Sequence, residues 1–207
     1  DDSSISITGG IINENVKLRE NAPANITCDK NSEIFNGLIE LPLAGKGTET
    51  DPYLLENLND LVLFRNSVNS GNTYEDKYVK LTNNIDFTGY TEMNVNYQGN
   101  NVAEATFRPI GDYSCGASFK GIFDGGNNTI SNIYINGWDI NYCWGKYGSA
   151  GLFGTVDGAT VKNLTVSGFE IQVEGGDVAA IAGHAIGNCI FENITVTDHG
   201  NGVVIGE

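Results

Sequence analysis

Three segments in the second half of the chain share one pattern, and the spacing of this repeat limits the folds that the chain can adopt. They are centred on Asn132, Asn163 and Asn193, so the asparagines recur at intervals of 31 and 30 residues. Around each asparagine, apolar and polar residues alternate, which is the period of a β-strand with one buried face. A glycine-rich, strand-bearing repeat of this length predicts an all-β solenoid, whose coils bury their apolar faces against one another.

The charge balance argues against two classes of partner. The 207 residues include 11 basic and 26 acidic side chains, which gives a formal net charge of −15. Such a surface repels the phosphates of nucleic acids and disfavours docking on anionic lipid. No stretch reaches the roughly 18–20 apolar residues that a membrane span requires. We therefore expect no nucleic-acid partner and no membrane span in this segment. Residues 203–207 look like the opening of another repeat, so we expect a longer protein.

The chain divides into two parts at a boundary marked by Pro42 and the glycines that follow it. Residues 1–44 contain short apolar alternations, at 5–7, 16–18 and 34–43, which are typical of edge strands and give a β-rich segment of unclear affiliation. Residues 45–207 contain the helix and the repeats and are predicted to form the second domain.

One helix is predicted, at about residues 57–70. Asn57 is placed to cap it, Asp60 lies in the first turn where a negative charge meets the positive end of the helix dipole, and Gly71 follows the last turn. A short amphipathic helix in front of a solenoid can cover the apolar end and the unpaired strand edges of the first coil.

Further strands are predicted at residues 53–55, 78–82 and 85–87, where apolar and polar side chains alternate. Residues 90–106 are interpreted as a polar excursion. Residues 121–129 read Gly-Ile-Phe-Asp-Gly-Gly-Asn-Asn-Thr, which predicts a tight turn between two strands because glycine accepts positive φ.

A family resemblance adds to this pattern. The run Gly151-Leu152-Phe153-Gly154, followed by residues 159–164, resembles the GLUG repeat of bacterial surface proteins. The upstream segments come in the order that this family shows: 47–55, 68–71, 78–86, 109–111 and 119–125. The resemblance covers about residues 45–207. It implies a right-handed parallel β-helix that is secreted or displayed on the cell surface, often beside other modules.

The recurring asparagines are interpreted as structural rather than functional. Asn132, Asn163 and Asn193 are predicted to stack as a ladder, in which each side-chain amide bonds to the next coil, because buried amides must be satisfied. Asn163 and Asn193 also match the glycosylation sequon, as do Asn25 and Asn127, but strands of this type favour Asn and Thr, and the matches are read as coincidence.

The sequence offers few candidate catalytic or metal-binding groups. Glycan-cleaving β-helices need two carboxyl groups about 5–10 Å apart, and the repeats do not place acids at equivalent positions. The two histidines, His184 and His199, accompany no nucleophile motif. The four cysteines lack zinc spacing; Cys189 is predicted to be a buried free thiol, and Cys115 and Cys143 are candidates for a disulfide in an oxidising compartment. We therefore expect neither an enzyme nor a cofactor or metal site.

The strongest candidate for binding is an aromatic loop that interrupts the repeat at residues 136–149. It gathers four large aromatic side chains within ten residues: Trp138, Tyr142, Trp144 and Tyr147. Such rings can stack on sugars or anchor a protein partner, so a glycan or protein ligand is predicted here. The alternative is that they cover an open flank of the coils.

Two functions fit these observations. The first is a non-catalytic surface or secreted scaffold or adhesion module that presents a rigid β-helix. The second is an accessory domain of a secreted enzyme, since GLUG-like coils also occur in bacterial immunoglobulin A1 proteases; a glycan-active β-helix enzyme is a weaker third alternative.

Overall fold

The computed structural model describes residues 5–7, 26–28, 43–95, 101–104, 106–112, 116–136, 149–172, 176–197 and 204–205. The chain separates into two compact units, Asp1–Pro42 and Leu43–Glu207. In the first unit, β1 (Ile5–Ile7) and β2 (Ile26–Cys28) pair in parallel. The sequence predicted a strand at β1 but none at β2, and the alternations at residues 16–18 and 34–43 lie outside the described residues, apart from Leu43.

The second unit contains one helix and a series of mostly short strands within its described part. The helix is α1, Leu58–Asn69. The strands are β3 (Tyr53–Leu55), β4 (Tyr78–Leu81), β5 (Ile85–Asp86), β6 (Glu92–Val95), β7 (Asn101–Glu104), β8 (Ile122–Ser131), β9 (Tyr134–Asn136), β10 (Phe153–Asp157), β11 (Thr160–Ser167), β12 (Glu170–Gln172), β13 (Ala182–Ile186), β14 (Ile190–Thr197) and β15 (Val204–Ile205).

Three parallel sheets dominate this unit. The largest has the order β14-β11-β8-β4-β3, with β5 paired to the second half of β8. A second sheet has the order β15-β12-β9, and a third pairs β10 with β13. The chain therefore passes through the three sheets in the same order twice, first as β10, β11 and β12 and then as β13, β14 and β15. The prediction that the repeats form neighbouring parallel strands is confirmed.

The helix is confirmed with the predicted ends. Its N-cap is Asn57, whose side-chain oxygen accepts from the Asp60 backbone N–H at 3.2 Å, while the Asp60 carboxylate accepts from the Glu56 backbone N–H at 2.9 Å. This reciprocal arrangement satisfies donors that the first turn leaves unpaired. Gly71 follows the last turn with a φ of 101°, as a helix stop requires.

Aromatic packing joins α1 to the sheets. The Phe64 ring is fully buried and lies 5.0 Å from Tyr74, 5.4 Å from Phe119 and 6.1 Å from Phe123, measured between ring centroids. Phe119 in turn stacks on Phe153 of β10 at 5.5 Å. These ring contacts pack α1 against the core of the unit. The role of the helix as a cap over the first coil stays a prediction.

Two local predictions are wrong. The interpretation of residues 90–106 as a polar excursion missed β6 and β7, which form an antiparallel hairpin. The tight turn predicted at residues 121–129 is instead the middle of one ten-residue strand, β8, which carries a bulge. There Gly125, Gly126 and Asn127 stand opposite the single residue Asn163 of β11, so the left-handed residues widen the strand locally and do not reverse it.

Candidate functional site

The predicted aromatic binding loop lies outside the described residues. This applies to all four of its side chains, Trp138, Tyr142, Trp144 and Tyr147, and to the candidate disulfide partners Cys115 and Cys143. The predicted ligand site therefore remains a prediction.

A column of left-handed asparagines runs across the large sheet. Lys162 pairs with Glu192 and Leu164 with Ile194, which places Asn163 beside Asn193. On the other side, Lys162 pairs with Asp124 and Leu164 with Asn128, so Asn163 stands opposite the bulge residues 125–127, which include Asn127. The φ angles of these three asparagines are 61°, 53° and 52° in chain order from Asn127. Asn tolerates this region better than most residues, so the column is built by backbone conformation as well as by side-chain bonding.

The side-chain ladder joins two of the three predicted asparagines. The Asn193 Nδ2 donates to Asn163 Oδ1 at 3.0 Å, and Asn163 Nδ2 donates to Asp124 Oδ1, also at 3.0 Å. The Asp124 oxygen accepts from the Gly126 backbone N–H as well, at 2.9 Å. The ladder therefore ends on a carboxylate of β8, where the sequence predicted an amide.

Asn132 is not part of this ladder, so the three-membered stack predicted from spacing is wrong in that member. Its Nδ2 donates to Asp86 Oδ1 at 2.8 Å and to Thr88 Oγ1 at 3.0 Å. The donation from Asn132, followed by the bonds from Thr88, lowers the pKa of Asp86. Asn132 lies just beyond the end of β8, because Ser131 and Ser167, which pair with each other, are the last residues of their strands.

The column predicts a test of backbone strain. Replacing Asn163 with Ala should lower the free energy of unfolding by about 1–2 kcal/mol, because alanine in the left-handed region is strained and the bonds to Asp124 and Asn193 are lost. Glycine adopts the left-handed conformation without strain, so Asn163→Gly should lower the free energy of unfolding by less than Asn163→Ala does. Urea unfolding followed by circular dichroism measures both, and equal losses would show that the left-handed conformation contributes nothing.

The two glycines of the repeated Gly-containing motif lie where neighbouring backbones approach each other. Gly154 and Gly183 sit side by side, since Phe153 pairs with Ala182 and Thr155 with His184. A Cβ on Gly154 would lie 2.2 Å from the Gly111 carbonyl oxygen, and a Cβ on Gly183 would lie 2.6 Å from that of Asp177. Only glycine leaves room for such contacts, so the motif contains glycine where neighbouring backbones approach most closely.

Strand β14 lies at one side of the large sheet among the described strands. In β11, the core-facing Val161, Leu164 and Val166 are at most 1% exposed. Their register partners in β14 are Phe191, Ile194 and Val196, and of these Phe191 is 44% and Val196 45% exposed. Strand β14 is the last described strand of this sheet, and these two side chains, which occupy core-type positions, are exposed there.

A buried ion pair ties the hairpin to the helix. The Arg65 guanidinium, 1% exposed, donates from Nη1 and Nη2 to the two Glu92 oxygens at 2.7 Å each. Its carbon Cζ lies 5.4 Å from the centroid of the Phe107 ring, and the Tyr90 hydroxyl donates to Glu92 at 3.0 Å. Burial by itself lowers the pKa of Arg65. The charge of Glu92 and the surrounding hydrogen bonds raise it by more, so the pKa of Arg65 lies above its ordinary value.

This cluster predicts a loss of stability at alkaline pH. Burial raises the pKa of Tyr90 to about 12, whereas an unfolded tyrosine titrates near 10. The raised pKa contributes stability below pH 10 that is lost as pH rises from 10 towards 12. The stability of wild type should therefore fall faster than that of Tyr90→Phe over this interval in urea unfolding. Parallel curves for the two proteins would contradict the assignment.

The remaining candidate groups form smaller contacts. His184 Nδ1 lies 2.7 Å from Asp177 Oδ2. Cys189 is a free thiol, half-buried, and donates to the Ile186 carbonyl oxygen at 3.0 Å; the predicted burial is thus only partial. Within the described ranges no three His, Cys, Asp or Glu side chains lie together as a metal site would require.

Comparisons with known proteins give two distant relatives. The chain is 28% identical over 206 residues to halomucin of Haloquadratum walsbyi, an alignment that covers 100% of this chain and 2% of halomucin. It is 30% identical over 155 residues to a Gly-rich membrane protein of Evansella cellulosilytica, covering 73% of this chain and 15% of that protein. The chain thus spans a small part of both relatives.

No protein-family model and no solved structure matches the chain. Among the helices of the described residues, none has the length and apolar character needed to cross a membrane. The comparisons therefore establish distant similarity to segments of two much longer proteins.

Proposed function

We propose that the chain is a non-catalytic scaffold module of a secreted or cell-surface protein, folded as a right-handed parallel β-helix of the GLUG type. The observation that carries the proposal is the repeated passage through three parallel sheets in one order. Each passage, β10 to β12 and then β13 to β15, is one coil in this interpretation. The right hand comes from the resemblance to the GLUG family.

The close packing of the unit's interior supports the role of a rigid scaffold rather than that of a ligand-binding cavity. The large side chains of the core are at most a few per cent exposed and include the packed rings of Phe64, Phe119 and Phe153. The Asn193–Asn163–Asp124 ladder and the close Gly154 contact fix neighbouring strands to one another. Such a unit can space and present other parts of a longer chain.

The surface setting is supported by the two relatives, one named halomucin and the other a membrane protein. The net charge of −15 suits a module that stays dispersed in water. The aromatic loop at residues 136–149 is proposed to carry any glycan or protein ligand, and the rest of the module to hold it in place.

An antibody raised against this chain tests the surface setting. It should label intact, non-permeabilised cells of the organism that encodes the protein, or the culture medium around them. Labelling only after permeabilisation would contradict the proposal. The absence of catalysis is tested separately with the purified chain on a panel of polysaccharides, where turnover of any of them would overturn the scaffold assignment.

A further inference from the structure

The structure separates the asparagines that match the glycosylation sequon, for which the sequence alone favours coincidence. Asn25 lies outside the described residues. Asn163 and Asn193 belong to the ladder, because Asn163 Nδ2 donates to Asp124 Oδ1 and Asn193 Nδ2 donates to Asn163 Oδ1, each at 3.0 Å. The nitrogen that a glycan would occupy is thus already bonded in both. The remaining match, Asn127, is different.

Asn127 presents its amide to solvent. It is the single exposed residue of β8 and lies in the bulge with a φ of 61°. Within the described part of the chain, its side chain makes no hydrogen bond. Glycine adopts this backbone conformation as readily as asparagine does, so the fold gives no reason for an amide at this position. The Asn127 Nδ2 can therefore carry a substituent.

Hydrogen bonds on both sides of Asn127 fix the bulge that exposes it. The Asn128 Nδ2 donates to the Gly125 carbonyl oxygen at 3.0 Å, which ties the bulge to itself. The Thr129 backbone N–H donates to Asn84 Oδ1 at 2.8 Å, which anchors the end of the bulge. None of these bonds uses the Asn127 side chain, so a group attached to it can extend into solvent without breaking them.

The sequon also requires a hydroxyl two residues after the asparagine. Here it belongs to Thr129, which is half-buried on the outward face of β8, since the next residue, Ile130, is fully buried towards the core. Both side chains that define the sequon are therefore accessible from the outside of the sheet.

A glycan on Asn163 would conflict with the sheet. This residue lies in β11, which has β8 on one side and β14 on the other. Neighbouring strands are about 4.8 Å apart, and a Cβ placed on Gly125 of β8 would lie only 2.4 Å from the Asn163 carbonyl oxygen. A sugar on the Asn163 nitrogen would have to break the ladder, whereas a sugar on Asn127 would break no bond of the described structure.

We propose that Asn127 is an N-glycosylation site and that Asn163 and Asn193 stay unmodified despite their sequons. The donor is an oligosaccharide whose anomeric carbon is linked through oxygen to the phosphate of a lipid carrier. Asn127 Nδ2 forms a bond to this carbon and loses one proton, while the carbon–oxygen bond breaks and its electron pair leaves with the phosphate. Because such glycans belong to the surfaces of exported proteins, the inference rests on the proposed secreted or cell-surface setting.

Peptide mass spectrometry of the chain recovered from the surface and culture medium of the organism that encodes it tests the proposal. The peptide that contains Asn127 should carry the added mass of one or more sugars, and fragment ions should locate that mass on Asn127. Peptides with Asn163 and Asn193 should have the masses of their sequences. Trypsin and a glutamate-specific protease put the three asparagines in separate peptides, because cleavage sites lie at Lys120, Lys146, Lys162 and Glu170. An unmodified Asn127, or a glycan on either ladder asparagine, would overturn the proposal.

Substitutions of the sequon threonines, expressed in the same organism, give matched controls. Thr129→Ala removes the sequon without changing Asn127 and should abolish the added mass, whereas Thr129→Ser keeps the hydroxyl and should retain it. Thr165→Ala removes the sequon of Asn163 and should leave the glycan unchanged. Added mass that persists in Thr129→Ala would contradict the assignment to this sequon.

Cell fractionation separates failure of this inference from failure of the proposed function. An exported chain with an unmodified Asn127 would overturn the glycosylation site and leave the surface setting intact. A chain found only inside the cell would overturn the surface setting, and the glycosylation site with it.

Discussion

Replacing Phe64 with alanine should destabilise the protein by about 3–5 kcal/mol, the range for removing a phenylalanine from a packed core. The ring is fully buried and has three aromatic neighbours, Tyr74, Phe119 and Phe123, within 6.1 Å between centroids. Phe119 is bridged to Val156 and Phe123 belongs to β8, so these neighbours cannot all move inward to fill the space. Urea unfolding monitored by circular dichroism gives the change in the free energy of unfolding.

Phe191→Ala is the matched control for this experiment, because it removes the same side chain from a position that is 44% exposed. Its cost should be roughly 1 kcal/mol or less. Equal losses for the two variants would mean that Phe64 is not part of a tightly packed core.

The second large effect is expected at the buried ion pair. Replacing Glu92 with leucine leaves the Arg65 guanidinium, 1% exposed, without its carboxylate. Removing one partner of a buried pair typically costs about 3–5 kcal/mol, because the remaining charge stays buried and uncompensated. Since Asn66 and the Phe107 ring still contact Arg65, we expect the lower part of this range in the same unfolding assay.

Two further variants separate the charge effect from loss of packing. The double variant Arg65→Leu with Glu92→Leu removes both charges and should recover much of the stability that Glu92→Leu loses. Lys46→Met breaks an exposed pair, Lys46–Asp51 at 3.7 Å, and should change stability by less than about 1 kcal/mol. If the double variant is no more stable than Glu92→Leu, the loss does not come from leaving Arg65 unpaired, and it lies in packing or in the second pair of Glu92, with Arg108 at 3.8 Å.

The elements that the sequence predicted correctly are those whose signals are local. Asn57, Asp60 and Gly71 mark the ends of α1 through caps that form within a few residues, and strand alternation identifies β11 and β14. The hairpin β6–β7 has no comparable signal. It is attached through the pair of Glu92 with Arg65, two residues 27 positions apart, which no local pattern reveals.

The bulge in β8 explains why the asparagine ladder was only partly predictable. Gly-Gly-Asn-Asn favours positive φ equally in a turn and in a bulge, so the sequence alone favoured the commoner turn. Counting back 31 residues from Asn163 then reaches Asn132, whereas the register places the bulge residues 125–127 opposite Asn163. Spacing along the chain cannot reveal this shift, because the bulge adds residues to one strand only.

The order of strands in the large sheet has a consequence for how the molecule opens. Strands β3, β4, β8, β11 and β14 lie side by side in the order in which the chain makes them, so each is held mainly by the strand before and the strand after. Such an arrangement loses structure from its ends, and its protection is graded. Backbone amides of β14 should exchange with solvent first, those of β11 later, and those of β8 and β4, next to the helix, last. A protease would accordingly trim this unit from the β14 side while the part nearest the helix stays folded.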